Sequence, residues 1–82
     1  MTVRTTRSSV TFRSPFRLVG IDQLQPAGTF DVEIDEDVIE GNEHTVYRRV
    51  ATILYVRSGA MTQAFTVDPE DLQAALARDG ER

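Results

Sequence analysis

Eight carboxylates crowd into residues 21–44, a stretch with no lysine or arginine: Asp22, Asp31, Glu33, Asp35, Glu36, Asp37, Glu40 and Glu43. At that density carboxylates can hold a divalent cation or work as a paired acid and base. Asp31, Glu33 and Asp35 have the alternating spacing that opens a calcium loop. The sixth position, however, is Glu36 rather than glycine, and the twelfth is Asn42 rather than glutamate, so the loop pattern fails. In an extended chain alternate carboxylates line one face, which makes them a solvent face before anything else. Asp35, Asp37 and Glu40 remain as candidates for a weak divalent site. Nucleophilic chemistry finds less to work with. His44 is the one histidine and there is no cysteine, and no serine sits in a glycine-flanked nucleophile turn. Ser58 beside Gly59 reads as a hairpin turn. No phosphate-binding glycine loop occurs. Neither an enzyme nor a cofactor is expected, and a disulfide framework or thiolate zinc cage is excluded.

The basic residues form the counterpart. All nine are arginine. Arg4, Arg7, Arg13 and Arg17 precede the acidic block, and Arg48, Arg49 and Arg57 follow it. By segment the charge runs +4, -8, +3 and -3, for a net -4. One reading is single-stranded nucleic-acid binding, with Arg13, Arg17, Arg48 and Arg49 on phosphates and Phe12, Phe16, Tyr47 or Tyr55 stacking on bases. The net negative charge and a pI of about 4.8 argue against it. The preferred reading is pairing within the protein or between subunits, because a basic strand beside an acidic one gains cross-strand attraction.

These groups need elements to position them. Residues 1–9 carry Val3 among Thr, Arg and Ser, too little apolar surface to repay ordering, so a flexible tail is expected there. Residues 10–80 form the single domain. A strand begins at Val10 and is broken near Pro15, which offers no N–H to a ladder. Residues 22–28 read as a turn-rich connection. Residues 29–35 alternate cleanly, with Phe30, Val32 and Ile34 facing a core and Thr29, Asp31, Glu33 and Asp35 facing water. Residues 36–44 read as a second connection. Residues 45–56 make a long strand that turns at Ser58-Gly59 into a last strand over 61–67. If Arg57 pairs with Ala60, Val56 faces Met61 and Thr52 faces Phe65. Asp68 as N-cap, Pro69 at the first helical position, and Leu72, Ala75 and Leu76 at helical spacing predict one helix over about 69–79. The fold class is α+β, a four-stranded antiparallel meander with a C-terminal helix.

An 82-residue chain buries only about 60% of its unfolded surface, and disulfides cannot help. The long strand has apolar residues on both faces, and one short helix covers one of them. Either the sheet curls toward a barrel or a second copy covers the rest. Tyr47, Ile53 and Tyr55, alternating on one side, are the interface candidates of a homodimer or of a complex with another protein. No run is apolar enough to span a membrane and no signal peptide opens the chain, so a cytoplasmic interaction module is expected.

The stretch Phe16-x-Leu18-x-Gly20-x-Asp22, then Leu24-x-Pro26-Ala27-Gly28-Thr29-Phe30-x-Val32-x-x-Asp35-Glu36, and later Tyr47-Arg48-Arg49, resembles a family of small bacterial proteins with no assigned activity. In that family a PAGT-aromatic-x-V strand precedes an acidic turn and an arginine-bearing long strand. The resemblance spans residues 10–76 and implies no catalytic or ligand residue.

Overall fold

A computed structural model describes residues 2–81. The elements are β1 (Thr2–Phe12), β2 (Phe16–Leu18), β3 (Ile21–Gln25), β4 (Gly28–Glu40), β5 (Thr45–Ser58), β6 (Met61–Thr66) and α1 (Pro69–Gly80). The main sheet is antiparallel and four-stranded in the order β1-β4-β5-β6, and β2 with β3 makes a separate hairpin. It is open, with β1 and β6 at its edges rather than closed into a barrel.

The N-terminal strand departs most from expectation. Residues 2–9 form the outer part of β1, paired with β4 along its whole length from Thr2↔Val38 to Phe12↔Gly28; Met1 lies outside the described residues. Apolar content is a poor guide here, because the ladder itself and ion pairs to the acidic strand hold β1 in place. Ser14-Pro15 then turns the chain out of the main sheet, so the break separates two strands of two sheets rather than bending one. Residues 21–25, read as a connection, instead pair back on β2 around a Val19-Gly20 turn, with Leu18 opposite Ile21. Gly20 takes φ +92° there, which favours glycine.

At the β5–β6 hairpin Ser58 faces Met61, leaving Gly59-Ala60 as the turn. Gly59, at φ +60°, holds the first central position that a type II′ turn requires of glycine. The register therefore lies two residues from the expected one, with Leu54 opposite Phe65 and Val56 opposite Gln63. A two-residue slip preserves every face.

The core lies on one side of the sheet. Phe12, Phe30, Val32, Leu54 and Val56 point from the strands toward Phe16, Leu18 and Ile21 of the hairpin and Leu72 and Ala75 of the helix. Phe12 stacks on Phe16 at 3.7 Å between ring centroids, and Phe30 meets Phe16 edge-on at 5.2 Å. Asp68 caps α1, its side chain accepting from the Glu70 N–H at 2.8 Å. Carboxylates on the helix tie down both ends of this layer. Asp71 accepts from the Val19 N–H at the hairpin turn. Asp79 accepts from the N–H groups of Arg13 and Ser14 at the β1–β2 corner.

One core-facing polar group is left over: the Thr52 hydroxyl is buried with no hydrogen-bond partner among the described residues. An unpaired buried hydroxyl costs about 1–3 kcal/mol. Thr52→Val, close in shape, is expected to raise unfolding stability by roughly 1 kcal/mol in urea denaturation; a loss of stability would show that the hydroxyl is satisfied.

Hairpin and helix cover only the half of the sheet nearest β6 and the ends of β1 and β4. Beyond Thr6, Ile34 and Ala51 the three strands β1, β4 and β5 project with both faces open. The radius of gyration is 14.8 Å, against about 12 Å for a compact domain of this length.

Candidate functional site

The face of the sheet turned away from helix and hairpin is uncovered over its whole length. Its side chains come from alternate positions of each strand and are locked together by charge. Arg7 pairs with Glu33 at 3.0 Å, Arg48 with Asp37 at 2.8 Å and Arg57 with Asp31 at 3.2 Å. The Thr5 hydroxyl donates to Asp35 and the Tyr55 hydroxyl to Glu33. The basic strands thus flank the acidic one, as the segregation of charge along the chain implies.

An irregularity decides which aromatic residues share this face. Asp35 lies opposite Ala51 but Glu36 lies opposite Arg49, so Val50 has no residue across from it on β4. One extra residue reverses the side-chain alternation of β5 beyond it. Ile53 and Tyr55 are on the open face. Tyr47 is on the other one, opposite Val38, where the Arg4 guanidinium sits 4.2 Å above its ring and bonds Glu36 at 2.8 Å. That hydrogen bond to Glu36 raises the Arg4 pKa above its ordinary value. The three residues expected to form one interface are therefore divided between two faces. Val46 takes the place of Tyr47 on the open face, beside Ile39 on β4. With Val3 on β1 they leave three aliphatic side chains in water, 50%, 41% and 59% exposed for Val46, Ile39 and Val3. Strict alternation misses Val46 because it carries no signal for a bulge.

The remaining candidates disperse. Asp35 and Asp37 lie on the open face, each engaged as above, while Glu40 falls on the opposite side of β4. No group of three or more potential metal ligands exists among the described residues, so the weak divalent site does not assemble. Of the nucleic-acid candidates, Arg48 is paired with Asp37 and Arg13 with Asp79. Arg17 belongs to the hairpin and Arg49 to the far end of β5, so the four do not form one basic track. His44 is exposed beside the Gly41 turn, whose N–H bonds the His44 carbonyl.

Comparison with protein-family models, curated proteins and solved structures finds no match in any of the three.

The geometry of the open face has one titratable signature. The hydrogen bond to Glu33, reinforced by desolvation and by the Glu33 charge, raises the Tyr55 pKa above the ordinary tyrosine value. Because the folded-state value is the higher one, stability from this contact is present below the unfolded-state pKa and lost as pH rises through the folded one. Phenolate absorbance is expected to show one tyrosine ionising above the ordinary range. Glu33→Ala should bring it down and Tyr55→Phe should remove it; a titration unchanged by Glu33→Ala would contradict the contact. No helix of the described residues is long and apolar enough to cross a membrane.

Proposed function

We infer that the protein is a small non-enzymatic interaction module that pairs with a second copy of itself through the open face of its sheet. The observation that carries this reading is an excess of exposed surface. The chain exposes 5902 Å², whereas a folded monomer of this mass exposes about 4,900 Å². The difference, about 1,000 Å², is comparable to the roughly 800 Å² that each partner contributes to a standard interface. The open face has a comparable size, since the 11, 13, 14 and 6 residues of β1, β4, β5 and β6 make roughly 700 Å² at ~3.3 Å per residue and ~4.8 Å per strand.

Its chemistry supports the same reading. The ion pairs are satisfied inside the face, so a second copy meets a nearly neutral surface and leaves few charges unpaired. Ile53 and Tyr55 lie toward its middle, and Val3, Ile39 and Val46 at its end. Two sheets packed this way stack at about 10 Å with interdigitating side chains. Ile53→Arg and Val46→Arg place a charge in that layer without entering the monomer core, and the arginine at 53 faces Glu33. Each is expected to weaken the dimer by about tenfold or more in sedimentation equilibrium, while circular dichroism stays unchanged. Dimerisation undisturbed by both variants would move the interface elsewhere.

The nucleic-acid reading draws no support from the geometry, because two of its four arginines are committed to carboxylates.

A further inference from the structure

A depression of about 290 Å³ lies between the β2–β3 hairpin and the C-terminal half of α1. Phe16 and Ala75, both buried, form its floor, and Leu24, 53% exposed, stands at its rim. Arg17 and Arg78 also line it. Five arginines elsewhere have partners: Arg4, Arg7, Arg13, Arg48 and Arg57 each reach a carboxylate at 2.8–3.8 Å, while Arg49 stands alone on β5 among the described residues, away from this hollow. Arg17 and Arg78 have none among the described residues. Two uncommitted guanidinium groups thus border one apolar hollow.

We propose that this depression binds a small monocarboxylate with a short apolar body. Guanidinium is the side chain best shaped to take a carboxylate through two parallel hydrogen bonds, and the floor supplies the apolar contact. The volume lies just below the ~300–1,000 Å³ range of small-molecule sites, which limits the ligand to a short chain or a single ring. A single negative charge fits better than two. Asp79 lines the same hollow with its charge taken by Arg13, and the carbonyl end of α1 carries about half a negative charge. The whole chain is also at -4. A dianion would meet that combined repulsion twice over. The proposal is independent of the dimer, which uses the opposite side of the sheet.

The test is an NMR titration of amide resonances with hexanoate, hexanamide and inorganic phosphate, on the parent chain and on Arg17→Gln, Arg78→Gln and the double variant. Both arginines are exposed and unpaired, so the variants should keep the parent spectrum outside the depression. Hexanoate is expected to shift the Leu24, Ala75 and Arg78 amides saturably. Hexanamide and phosphate should each bind about tenfold more weakly or not at all, each single variant should weaken hexanoate by a similar factor, and the double variant should abolish it. Absence of a saturable shift, equal binding of hexanoate and hexanamide, or hexanoate binding that survives in the double variant would overturn the carboxylate site. Phosphate binding as tight as hexanoate would overturn the apolar body of the ligand.

Discussion

Phe12→Ala is expected to destabilise the protein by about 3–5 kcal/mol, a large share of the stability of a small domain, which is of order 5–15 kcal/mol. Phe12 is 1% exposed and ends β1 where three layers meet: its ring stacks on Phe16 of the hairpin and turns an edge toward Phe30 of the sheet at 6.4 Å. Removing it leaves a cavity that Phe16 and Phe30 cannot close without giving up their own contact. Phe12→Leu keeps most of the volume but not the stack, and should lose less than half as much. Urea midpoints at constant m-value measure both. A loss below about 1 kcal/mol for the alanine variant would place Phe12 outside the cooperative core.

The second large effect belongs to a charged residue. Asp79 is 8% exposed and accepts from the Arg13 N–H at 2.9 Å and the Ser14 N–H at 3.0 Å. The Arg13 guanidinium is shared between its carboxylate and its backbone carbonyl. A carboxylate at a helix C-terminus is ordinarily unfavourable by about 0.3–1 kcal/mol. Here that is outweighed, because Asp79→Ala removes the acceptor of two part-buried backbone donors, at about 1–3 kcal/mol each. A net loss of roughly 3 kcal/mol is expected. Asp79→Asn retains one carbonyl oxygen and should lose about half of that. If the two variants are equally mild in thermal unfolding, the corner is held by something other than this carboxylate.

Asp79 also shows where sequence reading stops. Leu72, Ala75 and Leu76 announce the buried stripe of the helix through their spacing, and Asp68-Pro69 announces its start. An aspartate in the same stripe reads as an exposed residue, because its justification lies 66 residues away in the N–H of Arg13. The alternation of Phe30, Val32 and Ile34 places β4 correctly, and the segregation of arginines from carboxylates anticipates that basic and acidic strands lie side by side. What local pattern cannot carry is pairing geometry. β1 looks like a tail because Thr, Arg and Ser bury little, yet Arg4 and Arg7 meet Glu36 and Glu33 across the ladder. Ile21-Asp22-Gln23-Leu24-Gln25 looks like a turn because its apolar residues are sparse, yet Ile21 is buried against the helix layer. The candidate site fails at one residue: the bulge at Val50 moves Tyr47 to the other face and brings Val46 to the face of Ile53 and Tyr55.

The elongated sheet connects these points to function. Burial is concentrated in the half of the molecule where hairpin and helix lie, so local opening is expected to begin in the projecting ends of β1, β4 and β5, where both faces meet water. A second copy laid on the open face would protect those ends and supply stability that a domain this small lacks.

The most direct measurement is the mass of the unmodified protein by light scattering coupled to size-exclusion chromatography, at tens of micromolar, where an interface of about 1,600 Å² total is ordinarily occupied. A mass near twice 9.2 kDa that falls to the single-chain value in Ile53→Arg is the expected result. A clean 9.2 kDa species in the unmodified protein across that range would contradict self-association through the open sheet.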